Sequence, residues 1–151
     1  MSESERDARL EALFRRHFRL GWISILVYLL LGLVLEFLHA FKVGWYLDVA
    51  NETRRHMWTL AHTHGTLFGL LNLAFAYSLP RLTLAAGQLS LAAWCFVIGL
   101  IGMPLGFFLG GIVVYGGDPG LPVLIAPASG AVLVIGVALV VWGARRGRAG
   151  D

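Results

Sequence analysis

The stretch His56-Met-Trp-Thr-Leu-Ala-His-Thr-His-Gly-Thr-Leu-Phe-Gly-Leu-Leu-Asn72 decides how this chain is read. Three histidines and an asparagine open a segment that is otherwise apolar as far as Leu79. Met57 to Leu79 is long enough to cross a bilayer, which takes about 20 residues. A histidine inside such a span is costly to bury and marks function by default. A helix turns about 100° per residue, so His62 and His64 stand roughly 200° apart and cannot chelate one ion from a single helix. His62 shares its face with Trp58, Gly65, Thr66, Gly69 and Ala76, mostly small groups with room for a flat cofactor or a close helix neighbour. His64 shares its face with Met57, Leu60, Phe68, Leu71 and Phe75, a packing surface.

Composition widens the reading to the whole chain. Of 151 residues, 58% are hydrophobic and only 14% charged, with a mean hydropathy of +0.74. A soluble domain is nearer one-quarter charged, so a membrane protein is expected. The length suits a single membrane domain over 1–151, an all-α four-helix bundle with spans at about 20–41, 56–79, 86–112 and 121–142. The net charge of +3 does not suggest nucleic acid, because the basic residues sit at span ends. Cys95 stands alone in an apolar run and is expected to pack as a small hydrophobe. The first twenty residues are charged and the first apolar run is full length, so no cleavable signal peptide is expected.

Upstream, Leu10, Leu13, Phe14, His17 and Phe18 recur at helical spacing among Arg6, Arg9, Arg15, Arg16 and Arg19. That pattern predicts an amphipathic helix over 1–19 lying on the membrane surface, with His17 interfacial and without a catalytic role. Near the far end of the first span, Glu36 and His39 are three residues apart and share a face. Glu-x-x-His is a metal-ligand spacing in helix bundles, and also what a polar helix end looks like at the interface. In the loop 42–55, Trp45 and Tyr46 suit the headgroup level.

Downstream, Pro80-Arg81 closes the second span. Gly102, Gly106 and Gly110 repeat every fourth residue of the third, a spacing that lets membrane helices approach closely. Pro104 is expected to kink that helix. Tyr115-Gly-Gly-Asp-Pro-Gly-Leu-Pro122 is dense in turn residues. Four spans put both termini on one side, together with nine of the twelve basic residues, the last being Arg145, Arg146 and Arg148. The positive-inside rule makes that side the cytoplasm and the location the plasma (inner) membrane.

Depth then brings the polar groups together. Glu36 and His39 lie within roughly 8 Å of the far end of the first span, and His62 and His64 roughly 9–13 Å into the second from the same side. Sequential antiparallel spans are neighbours, so these groups share the outer third, with Arg54, Arg55, Tyr115 and Asp118 able to lie above them. Two chemistries fit. His62 could ligate haem iron, with the macrocycle on Gly65, Thr66 and Gly69 and the propionates at Arg54 or Arg55. Alternatively Glu36, His39 and one of His62 or His64 could hold zinc or copper. A polar cluster that only sets helix register stands beside both.

The core Trp58-Thr-Leu-Ala-His-Thr-His-Gly-Thr-Leu-Phe-Gly69, running on to Leu79-Pro80, resembles a family of small four-span membrane enzymes. These include hydroxylaminobenzene mutase and styrene oxide isomerase. The shared features are Ala61-His62, Gly65 and Gly69 at the same spacing, the closing Leu-Pro, and a Gly-Phe-x-Leu pattern at Gly106 to Leu109. The resemblance implies a homotrimer carrying haem b, its iron held by His62 and acting as a Lewis acid. It implies an isomerase or mutase whose small hydrophobic substrate, an epoxide or hydroxylamine-like molecule, arrives through the lipid. Glu36 and His39 are then the candidate catalytic pair. Phe68, Leu100 and Phe108 stand where the isomerase carries polar residues, so the substrate set is expected to differ. The alternative is a non-catalytic membrane haem or metal protein, a sensor or electron-transfer partner.

Overall fold

The computed structural model describes residues 2–48 and 52–147. Arg148, part of the charge pattern above, lies outside them. Four long helices follow one another: α1 (Glu3–Ala40), α2 (Thr53–Ser78), α3 (Ala86–Gly110) and α4 (Ile125–Gly147). Single turns of 3₁₀ helix, Leu79–Arg81 and Leu121–Leu124, lead out of α2 and into α4. Between α3 and α4, β1 (Val114–Tyr115) and β2 (Asp118–Pro119) form an antiparallel ribbon. Its turn, Gly116-Gly117, has positive φ at both residues, as tight hairpins require.

The N-terminal surface helix and the first span are one helix. Ser2 and Glu5 form a capping box at its start, and no proline interrupts the chain before Ala40. Residues 3–19 do not form a helix of their own. They run on along the other helices, with Arg9 donating to Ser90 and the Arg16 guanidinium 4.2 Å over the Trp94 ring, both on α3. The arginines that made this segment look interfacial are in part docking groups.

At its other end α1 closes in a Schellman motif. The Lys42 N–H donates to the His39 carbonyl at 3.1 Å and the Val43 N–H to Leu38 at 3.0 Å, with Leu38 and Val43 in one apolar cluster. The left-handed residue of that motif is Lys42, at φ 51°. Glycine is usual there, and a side chain costs about 1–2 kcal/mol.

α1 and α2 pack antiparallel in a register that small residues set. Gly21 faces Gly69, where a Cβ would come within 2.9 Å of the opposite carbonyl oxygen. Ser24 Oγ donates to the Gly65 carbonyl at 2.9 Å, and Gly32 lies against the His62 ring. The glycine stripe of α3 is used in the same way, within the chain. Gly99 meets Leu133, Gly102 meets Ser129, Gly106 meets the Ala126 backbone and Gly110 meets Val123. Helices so paired approach at backbone distance, so dispersion contacts accumulate along the whole seam. Pro104 is buried within α3, which continues through it.

The four helices pack in chain order, α2 on α1, α3 on α2, and α4 on α3, so α1 and α4 form the edges of a row. The glycines of α3 set α4 closely against it. One apolar core centres on Phe75, Leu79, Phe96 and Leu100, and a second on Leu35, Tyr46, Met57 and Trp58. Cys95 is buried against Gly136. Among the described residues, α1, α3 and the segment Leu121–Arg146 are long and apolar enough to cross a membrane. α2 has the length, but its histidines and Asn72 lower its hydropathy.

Candidate functional site

Two residues of the second core, Leu35 and Tyr46, also line a cavity. Trp58 stacks on Phe108 with centroids 5.3 Å apart and donates its indole N–H to the Phe108 carbonyl at 3.0 Å. Tyr46 stacks on its other side and Trp45 meets its edge. This aromatic block holds the loop after α1 against α2 and α3. Tyr46 is therefore buried, 4% exposed, and not a headgroup anchor. Burial pushes its phenol up, the Glu36 carboxylate adds to this, and Thr59 and Arg55 oppose it. The group stays an O–H at neutral pH. Thr59 also donates its hydroxyl to the Arg55 carbonyl at 2.9 Å.

Beside this block, between α1 and α2, lies a cavity of about 600 Å³. Its apolar side is Leu29, Gly32, Leu33 and Leu35; its polar side is Glu36, His39, Tyr46, Glu52, Arg55, His56, Thr59 and His62. Glu36, His39 and His62 thus meet in one space, two from α1 and one from α2. The antiparallel register does this: the last two turns of α1 face the first three turns of α2. His62 Nδ1 lies 2.6 Å from the Tyr28 carbonyl, which can only accept, so Nδ1 carries a hydrogen and the lone pair of the neutral ring is on Nε2.

The other expected groups are placed differently. His64 donates from Nδ1 to Leu60 at 2.8 Å and packs on Phe68 and Phe107, away from this cavity. Its face of α2 meets α3, as the 200° separation requires. Arg54 is spent on structure: it donates to the carbonyls of Gly111 at 3.1 Å, Trp45 at 2.9 Å and Ile112 at 3.4 Å, and lies 4.3 Å over the Trp45 ring. It clamps the start of α2 to the end of α3. Arg55 instead enters the cavity, paired with Glu52 at 2.6 Å. Tyr115 is exposed in the ribbon, where Thr53 reaches the Gly117 carbonyl.

The small face of α2 is filled by a helix. The Tyr28 ring occupies the space over Gly65, Ile25 and the Gly21 backbone cover Gly69, and Thr66 donates to His62's carbonyl at 3.0 Å. Of the two occupants that face allowed, α1 is the one present, and a haem lying flat over Gly65, Thr66 and Gly69 does not fit beside it. Among the described residues no three His, Cys, Asp or Glu side chains are grouped closely enough to hold a metal ion.

Two histidines that were not read as site or core residues have definite places. His17 is not interfacial: it is fully buried, with Nδ1 2.7 Å from Asn72 Oδ1 and its ring edge-on to Phe75. Asn72 Nδ2 donates to Phe68 at 2.9 Å, which fixes Oδ1 as the acceptor for His17 and leaves His17 Nε2 without a partner. His56, at the start of the expected second span, also lines the cavity. No model of a known protein family, no curated protein and no solved structure matches this chain.

Proposed function

We propose that this chain is a multi-pass membrane protein with four spans and cytoplasmic termini, and that it is an isomerase or mutase. Its substrate is a small, mostly apolar molecule, epoxide or hydroxylamine-like, that reaches the cavity from the lipid. The observation that carries this reading is the meeting of Glu36, His39 and His62 in one cavity whose other side is leucine. In a base-assisted rearrangement without net redox change, a proton leaves one atom as the strained or weak bond to oxygen breaks, and a proton is returned to another atom of the product. His62 Nε2, a lone pair held in place by the Tyr28 carbonyl, is the base; Glu36 and His39 carry the proton between substrate and the outer aqueous side. The leucines exclude water and orient the apolar part. The resemblance to the mutase and isomerase enzymes supports the same reaction class, and no step here runs through a haem.

A second reading is favoured by the Nδ1–H bond from His62 to Tyr28, which is how metal-ligating histidines are usually held. In it, His62 ligates haem iron or another metal presented from the cavity side, without catalysis. The experiment is to assay membranes containing the chain for rearrangement of a small aryl epoxide. Glu36→Gln, His39→Ala and His62→Ala should each lower the rate by about 10²-fold or more, the usual range for a lost acid or base. A Soret band that His62→Ala abolishes, with no product formed by the parent chain, would replace the first reading with the second.

A further inference from the structure

A second cavity of about 450 Å³, lined by His39, Lys42, Gly44, Leu47 and Arg55, shares His39 and Arg55 with the first. The two adjoin at these shared walls, and together they are read as one cleft with chemically distinct ends. Leu29 and Leu33 lie at the inner end, each 53% exposed on the outward face of α1. Lys42 lies at the outer end, past the last turn of α1. Along α1 the cleft runs roughly 15 Å from Leu29 to His39. Glu36 lies about 5 Å inward of His39, and Gly32, which faces His62, about 10 Å.

Resting on the reading above, we propose that the cleft binds a single-chain anionic amphiphile. Its carboxylate or phosphate head is held by Lys42, Arg55 and His39, and its chain runs past Glu36 and His62 to Leu29 and Leu33. Arg55 has a planar fork of five N–H donors, of which Glu52 takes an ion-pair contact at 2.6 Å, leaving donors for a second oxyanion. Lys42 supplies an independent observation. It occupies the left-handed position of a Schellman motif, where glycine is easiest, and a strained residue at the mouth of a cleft is the pattern of a side chain kept for binding. Glu36 is set one turn below the head, beside the part of the chain that would react. The head thus fixes which carbons reach Glu36 and His62.

The test uses the full chain in nanodiscs of zwitterionic lipid, with decanoate, decanol and decyltrimethylammonium as probes and calorimetry as the readout. Decanoate should bind at least about tenfold more tightly than decanol, and Lys42→Gln and Arg55→Gln should each erase about tenfold of that preference. Lys42→Gly should weaken decanoate while raising the thermal midpoint, because it relieves the backbone as it removes the cation. Equal affinity for decanol, preference for the ammonium probe, or Lys42 variants that bind decanoate normally would overturn the proposal. Displacement of decanoate by phosphatidylglycerol added to the nanodisc would overturn the single-chain assignment. Binding is read without turnover: decanoate that binds as expected to a chain without isomerase activity leaves this site standing. Turnover that depends on His62, with no decanoate binding, sinks this site alone.

Discussion

At the scale of single residues, His17 and Asn72 show how a polar pair is built into an apolar seam. The imidazole N–H reaches Asn72, Asn72 reaches Phe68 of its own helix, and the opposite imidazole nitrogen has no partner. Asn72→Ala should strand the His17 N–H as well and destabilise the protein by about 2 kcal/mol, within the range for an unsatisfied buried group. The double variant His17→Leu/Asn72→Leu should be close to neutral, because both partners leave together. Thermal unfolding in detergent checks this; additive losses would mean that the two side chains are not coupled. His17 was not legible beforehand, because a histidine among arginines at helical spacing reads as a surface helix. By contrast, Glu36, His39 and His62 were legible as neighbours, since helix rise and an antiparallel connection fix their depth. The face of His64 was legible for the same reason. Lys42 and Tyr46 were not, because their places depend on how one loop folds back onto Trp58.

Among the elements, the α3–α4 seam is the one most sensitive to volume. A Cβ at Gly106 would lie 2.6 Å from the Ala126 amide nitrogen, and backbone cannot rotate away as a side chain can. Gly106→Leu should therefore destabilise by about 1–3 kcal/mol or more and separate α4 from α3, seen as a lower thermal midpoint in detergent. An unchanged midpoint would show that the seam does not hold the row together. The every-fourth-residue spacing announced a helix contact; only the fold says that the contact is with α4 of the same chain. The α1–α2 seam gives the complementary case. Gly65 and Gly69 left space for either a cofactor or a helix, and Tyr28 and Ile25 fill it. Spacing shows that a surface is small, never what lies on it.

For the whole molecule, the basic residues concentrate at the ends of α1, α2 and α4 that meet on one side. A reporter fused after Asp151 should be active in the cytoplasm; activity on the opposite face would invert every loop assignment, including the mouth at Lys42. Apolar content, helical period and the positions of the glycines belong to the sequence by itself, because they follow from local composition. So does the height of His62 and His64 along α2. Tertiary structure alone decided that α1 runs unbroken from Glu3 to Ala40, that His17 is buried, and that the small face of α2 is closed by α1. It also decided that Arg54 is a clamp while Arg55 enters the cavity. The physical reason is that period and hydropathy say which face of a helix is apolar, small or charged, whereas the partner of that face is chosen by packing between segments distant in the chain.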